Sequence, residues 1–518
     1  MSRARIFIEN TFWIYVSKIV TQVMTLITTV LVINKLAVEI YGEFNFFLSS
    51  LLVCQSLTLN PLIHVINRYV PELSGYHELQ KIKKLLLRGL VLTLLSFGCL
   101  AFFIVYFRYQ VAVFFHLPSL PGLLTVFLIL VLCYFLQMIG LTVIKALLLN
   151  KQAALIAIVI SFAKSVMYLV WLSELDVALL LEIETGLASA SFLFSLAVMI
   201  LFYKKTGTTV YPQPGNQGVD KNRVIRYGIY SYFNDIGGNV IGTTSDTYIV
   251  SAMAGQFSLG VYAFASKIFN MILYLLPVKD VLTIIRPMFI QKFSQKHEEA
   301  EFNRIYNFIP KILLPIYLFP SLFFLLFGRG YIRLFFNEQY FPAYGLINIM
   351  LLTNITSAVF YPLVLVVLLK ERMDVALYGK IIGLFSIPAG IVGMHFFSLT
   401  GVAVATTLGD FFKDLLVYFK MRKMTAIRYH FLDYYRYLTA TAVLMLIFLY
   451  PVRWCHTSAV LIALSFVFFI LYCLLLLRFH PLNRDDRCLL NLVIGSSRFL
   501  SRLCESAPVR WFKSIADC

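Results

Sequence analysis

A chain of 518 residues that is 60% hydrophobic and 16% aromatic but only 14% charged, with a mean hydropathy of +0.82, is not a water-soluble globular protein. Soluble proteins carry about 25% charged residues, and the apolar excess here falls in runs of about 20 residues, each able to cross a hydrocarbon core of roughly 30 Å as a helix. The net charge of +18 does not mark a nucleic-acid binder, because the basic residues sit in short segments between the apolar runs.

A chain that crosses lipid must satisfy its own backbone, as helices or as a closed barrel. The alternation of barrel strands is absent, so the sequence predicts an all-α integral membrane protein. In chain order, fourteen spans are predicted: 11–33, 44–66, 85–107, 122–144, 153–172, 177–203, 227–252, 259–285, 307–328, 344–369, 374–397, 399–419, 437–452 and 457–477. The basic segment Met1–Asn10 leads straight into the first apolar run without a small-residue cleavage site, which reads as a first span and not a signal peptide. Placing the N-terminus in the cytoplasm assigns 33 of the 44 Lys and Arg to inside segments, counting Arg88 and Lys311 near span edges with them, and 5 to outside segments, with six lysines left within spans. This follows the positive-inside rule and predicts two cytoplasmic termini. The polar tail from Arg478 to Cys518 is either an interfacial basic helix on anionic lipid or a solvated basic tail.

The eight cysteines show no C-x-x-C spacing and no accompanying histidine cluster, so neither a metal site nor a disulfide framework is expected. No Walker A pattern or hydrolytic motif is present, and the longest outward segment, Gly328–Ala343, is too short for an external catalytic domain. The reading is a transporter, not an enzyme, without a cofactor. It is driven by an ion gradient (H⁺ or Na⁺) or by the gradient of its own substrate.

Three short matches recur near one offset. Thr185-Gly186-Leu187-Ala188 and Thr400-Gly401-Val402-Ala403 are 215 residues apart, Gly42 and Gly260 are 218 apart, and Lys164 and Lys380 are 216 apart. Six spans per half is an even number, so the halves insert in the same orientation, as parallel repeats with a substrate site at their interface. The predicted organisation is an N-lobe at 1–203 (spans 1–6), a cytoplasmic linker at 204–222 rich in Gly and Pro, and a C-lobe at 223–420 (spans 7–12). Spans 13 and 14 follow at 421–478, and the basic tail at 479–518. The fold class is thus two six-helix lobes related by a pseudo-two-fold repeat, plus two C-terminal helices.

Polar residues fall at helical spacing inside the spans. Span 1 carries Lys18, Gln22, Thr25 and Thr29; span 2 carries Asn45, Ser49, Ser56, Asn60, His64 and Asn67. Span 7 carries Ser231, Asp235, Asn239 and Asp246, broken by glycines, and span 8 carries Lys267, Asn270 and Tyr274. Most Ser and Thr in membranes only join helices. Ions are more demanding. A lysine facing lipid near the bilayer centre costs roughly 2.5–3.5 kcal/mol, so the six at Lys18, Lys164, Lys267, Lys279, Lys380 and Lys413 must pair, snorkel or face water. Asp410 one turn away predicts a pair for Lys413, and Lys279 near a span end predicts snorkelling. Lys18, Lys164 and Lys267 are expected to line a cationic cavity, with Lys380 and Arg68 as further candidates. Gln22, Thr25, Asn45, Asn60, Asn270 and Tyr274 are its expected polar lining. Such a cavity suits an anionic, phosphate-bearing substrate. Asp235 and Asp246 are candidates for carrying a coupling ion, or else pair with the lysines.

These segments are similar to a known family. Asn10-Thr11-Phe12-Trp13 followed by Leu36-Ala37-Val38-Glu39-Ile40-Tyr41-Gly42-Glu43-Phe44 resembles the opening of the polysaccharide-biosynthesis export family, the Wzx-type flippases. Ser245-Asp246-Thr247-Tyr248-Ile249-Val250 and Leu259-Gly260-Val261-Tyr262-Ala263-Phe264-Ala265-Ser266-Lys267 resemble its most recognisable segment. Phe327-Gly328 and Thr400-Gly401-Val402-Ala403 also fit, so the resemblance covers about residues 10–425. It implies the multidrug/oligosaccharidyl-lipid/polysaccharide exporter fold, with two six-helix lobes around a central cavity and alternating access. It also implies an undecaprenyl-diphosphate-linked O-antigen or other polysaccharide unit as cargo, a bacterial inner membrane, and polymerase or assembly proteins as partners. Lipid II flippases of that superfamily place cations on spans 1, 2 and 8; Lys18 and Lys267 match two of these by span, and Arg68 more loosely. Where that branch has arginines this chain has lysines. Spans 13 and 14 also resemble that branch. The alternatives are a multidrug extruder of the same fold, for which an acidic cavity is expected, and an integral-membrane polysaccharide polymerase or ligase, for which a large external loop is expected.

Overall fold

In hydrocarbon each peptide N–H and C=O must find its partner within the chain, and a single apolar run does this only as a helix. The computed structural model describes residues 3–75, 79–206, 228, 232, 242–276, 299–369, 372–424, 434–454, 457–479 and 482. Helices α1 (Arg3–Lys35), α2 (Val38–Cys54), α3 (Asn60–Gly75), α4 (Leu79–Tyr106), α5 (Arg108–Phe114), α6 (Leu120–Ala146), α7 (Asn150–Val170) and α8 (Val177–Thr206) come first. They are followed by α9 (Thr243–Leu275), α10 (Glu299–Phe335), α11 (Ala343–Leu369), α12 (Met373–Gly383), α13 (Ser386–Met424), α14 (Tyr435–Arg453) and α15 (Ser458–Phe479). Among the described residues, twelve helical stretches are long and apolar enough to cross a membrane.

Several of these stretches are longer than one crossing needs, and two of them, those of α9 and α13, are not single unbroken helices. The 39 residues of α13 would reach about 59 Å as a straight rod, nearly twice the hydrocarbon core. Each is broken inside by a left-handed residue: Gly255 (φ 75°) in α9 and Ser398 (φ 56°) in α13. Gly255 lies between predicted spans 7 and 8, and Ser398 between spans 11 and 12. Against the fourteen predicted spans, the described residues therefore give twelve crossing stretches, two of which hold an internal break where the sequence reading places a connection between spans. The first part of span 7 with Asp235, the end of span 8 with Lys279, most of the linker and nearly all of the basic tail lie outside the described residues.

Span 2 is not a plain helix. Gln55–Leu59 forms a π-helical turn between α2 and α3, directly before Asn60-Pro61. Pro61 has no N–H to give the preceding turn, and a wider turn is one way to absorb that loss. The Gln55 amide donates to Asn60 Oδ1 at 3.0 Å, bracing the wide turn across its own length.

The described chain divides into two compact units, one formed by Met1–Lys267 with Ile387–Val402 and the other by Ile268–Ser386 with Ala403–Cys518. In the first unit, α1 packs along α7, α6 along α8, and α2 meets α9. The α2–α9 seam is built on the two glycines that the repeat places in register. A Cβ on Gly260 would lie 2.0 Å from the Val38 carbonyl oxygen, and one on Gly42 would lie 2.6 Å from the Gln256 carbonyl oxygen. Backbone therefore rests on backbone, the use of small residues that membrane packing favours. Along the seam Tyr248 donates to Ser50 at 3.0 Å, and the Phe46 and Tyr248 rings meet edge-on at 5.3 Å. Beyond it Ser251 donates to the Phe115 carbonyl at 2.9 Å and Gln256 to the His116 carbonyl at 3.1 Å. Ser119 donates to the buried Glu43 carboxylate.

In the second unit, α10 is a 37-residue helix with Pro310, Pro315 and Pro320 inside it. The helices of spans 13 and 14 pair with each other and cover α10 through an aromatic core that includes Phe327, Phe448 and Phe468. Tyr472 donates to the Pro315 carbonyl at 2.8 Å and also meets the Tyr437 hydroxyl, while Tyr331 and Ser465 share a hydrogen bond at 2.7 Å. Lys413 pairs with Asp410 at 2.5 Å, as their spacing predicts. Lys311 on α10 is 4% exposed, a buried cation that the sequence reading leaves at a span edge.

Gly260→Ala is expected to cost about 1–3 kcal/mol through overpacking of the seam, whereas Gly98→Ala, where an added methyl meets no heavy atom within 4 Å, is expected to be neutral. Thermal unfolding of the two variants in the same detergent checks this; equal midpoints would remove the seam from the account of stability.

Candidate functional site

Each predicted site residue on a described helix can now be placed. In the first unit, α7 and α8 are packed neighbours joined by the short turn at 171–176. That turn brings Lys164, inside α7, opposite Glu184, inside α8, and the two form a salt bridge. Tyr168, one helical turn beyond Lys164, donates to the same carboxylate at 2.6 Å. Lys164 also lies 5.4 Å from the centroid of the Tyr168 ring. Lys267 on α9 stands within electrostatic reach of both Glu184 and Lys164, and the Tyr134 phenol on α6 within reach of Glu184. The result is one ammonium group paired with a carboxylate that also accepts from a phenol, with a second ammonium group and a second phenol within electrostatic reach. The set carries one net positive charge when all three ions are charged.

The sequence reading names both lysines but not Glu184, Tyr168 or Tyr134. Glu184 was findable. It is a carboxylate inside a predicted span, and an ion at membrane depth needs a partner as a lysine does. The spacing of 20 residues across a tight turn between neighbouring spans is the signal.

The other candidates sit in different surroundings. Lys18 is half-buried on α1, which packs along α7; Gln22 is buried, and Thr25 returns its hydroxyl to the Thr21 carbonyl at 2.8 Å. Asn45 donates to the Tyr41 carbonyl at 2.8 Å, and Asn60 braces the π turn. Arg68 is exposed, its guanidinium 5.9 Å from the Tyr69 ring centroid. Asn270 and Tyr274 are exposed and belong to the second unit, as does the half-buried Lys380. Asp246 is 2% exposed, and its carboxylate accepts from the Tyr262 hydroxyl at 2.5 Å. A phenol is a neutral donor, so it stabilises the carboxylate without neutralising it.

A lipid II flippase MurJ in an inward closed conformation superposes with a TM-score of 0.67 at 14% identity, covering 91% of this chain and 99% of that one. A Vibrio cholerae MATE transporter, VcmN, superposes with a TM-score of 0.57 at 12% identity over 81% of this chain and 96% of that one. An inward-facing multidrug resistance MATE family transporter of the MOP superfamily gives 0.55 at 12% identity, over 78% and 94%. The chain has the fold of these transporters. No family model and no curated protein sequence matches it. The likeness is one of architecture: the twelve apolar stretches among the described residues belong to a multi-pass membrane protein with the fold of these structures.

Glu184→Ala strands Lys164 beside a lost partner. The pair is only partly shielded, with side chains 37% and 18% exposed, so the expected cost is about 1–3 kcal/mol, below that of a fully buried pair. Lys164→Met combined with Glu184→Leu is expected to recover most of it. Unfolding midpoints of the parent, single and double variants give the coupling; a fully additive cycle would deny that the pair acts as one.

Proposed function

We propose that this protein is a flippase that carries an undecaprenyl-diphosphate-linked oligosaccharide, an O-antigen or other surface-polysaccharide unit, across a bacterial inner membrane by alternating access, with both termini cytoplasmic. The observation that carries the reading is the Lys164–Glu184–Lys267 set in a chain with the transporter fold. Two ammonium groups held against one carboxylate form a site for a second anion. A diphosphate brings more than one negative charge and takes up lysines without demanding the planar fork that arginine imposes.

Glu184 serves here as the resident counter-anion. In the empty protein it occupies Lys164, so the ammonium is never left bare in a medium of low dielectric. Cargo phosphate exchanges with it, and protonation of the released carboxylate is one route by which a proton gradient couples to transport. Lys18, Lys380 and Arg68 are proposed as further contacts along the cargo path. Asp246, fixed by Tyr262, and Asp235 remain the proposed ion-coupling alternatives. Membrane lipid, the lipid-linked oligosaccharide, H⁺ or Na⁺, and polysaccharide polymerase or assembly proteins are the proposed partners.

The multidrug reading is supported by the two MATE superpositions, and an organic cation is the cargo it requires. The Lys164–Glu184–Lys267 set, with its net positive charge, disfavours that cargo in this part of the fold.

Lys164→Ala and Lys267→Ala are each expected to reduce flipping of a fluorescent lipid-linked oligosaccharide in proteoliposomes at least tenfold, with protein recovered from the membrane at parental levels. Lys→Arg variants are expected to keep part of the rate, because charge is retained while the point-charge geometry is not. Parental rates in both alanine variants would remove these residues from transport. Export of a cationic dye without glycan flipping would replace the flippase reading by the extruder.

A further inference from the structure

We propose that the second unit holds one anionic phospholipid in a groove on the outer face of α13, its phosphate at Lys420 and Lys423 and an acyl chain along Phe412, Leu415, Leu416 and Phe419. The groove has a volume of about 430 Å³, and Ile382 from α12 forms its opposite wall. All the lining side chains belong to the one unit, and the inference stands apart from the identity of any cargo.

Three observations select this occupant. The first is length. From Phe412 to Lys423 the helix advances eleven residues, about 16 Å at 1.5 Å per residue, or roughly half of a 30 Å hydrocarbon core. The groove is therefore as deep as a single leaflet. Its lysine end coincides with the end of the apolar stretch, which closes at Lys423. The second is exposure. Phe412 and Phe419 are 53% and 52% exposed, and across from them α12 contributes the aliphatic Ile382. Apolar side chains on both walls suit an aliphatic chain and nothing polar.

The third is charge. The polar groups of the lining are the two ammonium groups alone. Lys420 is held at the mouth by the Tyr378 ring, 3.7 Å from its centroid, which orients the ammonium without neutralising it. Of the two acids on this helix, Asp410 is paired with Lys413, and Asp414 stands within electrostatic reach of the same lysine. Among the described residues no carboxylate pairs with Lys420 or Lys423. An anion with one aliphatic tail complements such a groove. A sugar finds no acceptor in it, and a long prenyl chain exceeds its leaflet depth.

The test places a benzoyl-phenylalanine crosslinker at Phe412, and separately at Phe419, in the full chain reconstituted into vesicles of equal phosphatidylglycerol and phosphatidylcholine. Mass spectrometry then counts the lipid adducts. Each lysine near the charged surface is expected to favour the anionic lipid about five-fold, so phosphatidylglycerol adducts predominate at least five-fold in the parent. Combining Lys420→Ala with Lys423→Ala is expected to bring the ratio near one while total adducts persist. High salt is expected to do the same in the unmutated chain, which keeps the test alive if the double variant fails to fold. A ratio near one in the parent overturns the proposal, as does a preference that survives both the double variant and 1 M salt. Loss of phosphatidylglycerol adducts on adding a polyprenyl diphosphate in small excess also overturns it, and assigns the groove to a cargo tail.

Discussion

An ion has no inexpensive place in hydrocarbon, and that constraint organises the part of this molecule where chemistry can happen. The backbone escapes it by coiling into helices; the charged side chains escape it by finding each other. Lys164 finds Glu184 across a tight turn, and Lys413 finds Asp410 along one helix. Asp246 shows a third kind of contact, a buried phenol, Tyr262, that donates to its carboxylate. These solutions have different consequences. A cancelled pair within one helix is structural and closed to newcomers, whereas a carboxylate with two cations in reach leaves a surplus that another anion can claim.

The packing that holds those groups in place uses a different currency. Lipid tails are as apolar as leucine, so helices gain little by hiding side chains from them, and close approach has to do the joining. The α2–α9 seam shows how. Gly42 and Gly260 let backbone approach backbone at the crossing point, and serine, threonine and tyrosine hydroxyls then reach across beside it. The second unit solves the same problem with rings instead of glycines. Its α10 carries three prolines, and the helices that cover it bring tyrosine hydroxyls to a backbone carbonyl there as well as aromatic faces.

Most of the fold was legible because hydropathy in a membrane is read one helix at a time. Spans 1–6, 9, 10, 13 and 14 each fall, to within a few residues, inside a described helix, or inside the α2–π–α3 rod for span 2, though several of those helices run well past the predicted ends. The π turn was not legible: its only trace is the Asn60-Pro61 pair, which equally fits a kink. The repeat was visible as glycines at one offset, yet nothing in that spacing says that Gly42 and Gly260 touch. The site was half legible. Reading the cations alone finds Lys164 and Lys267 but presents them as bare charge, and the partner that changes their meaning, Glu184, sits on the next helix. Lys311 was hidden for the opposite reason: a span edge drawn a few residues long assigns it to the interface, while the side chain is buried.

A carrier must hold its cargo well enough to load it and loosely enough to release it, and the composition of the Lys164–Glu184–Lys267 set bears on both demands. Two free lysines in a dry site would bind a diphosphate tightly and keep it. Two lysines fully neutralised by two carboxylates would not bind it at all. On the function proposed above, one carboxylate paired to one ammonium group with a second in reach lies between these limits, because an arriving phosphate would displace a resident anion before it gained Lys164. The binding free energy would then be a difference between two similar contacts, not the whole of one. Reversal would follow the same path, with Glu184 placed to reclaim Lys164 as the phosphate departed. Tyr168 matters to this balance, because its hydroxyl keeps the carboxylate aimed at Lys164. On this argument the acid, more than the bases, sets how readily the proposed cargo is let go.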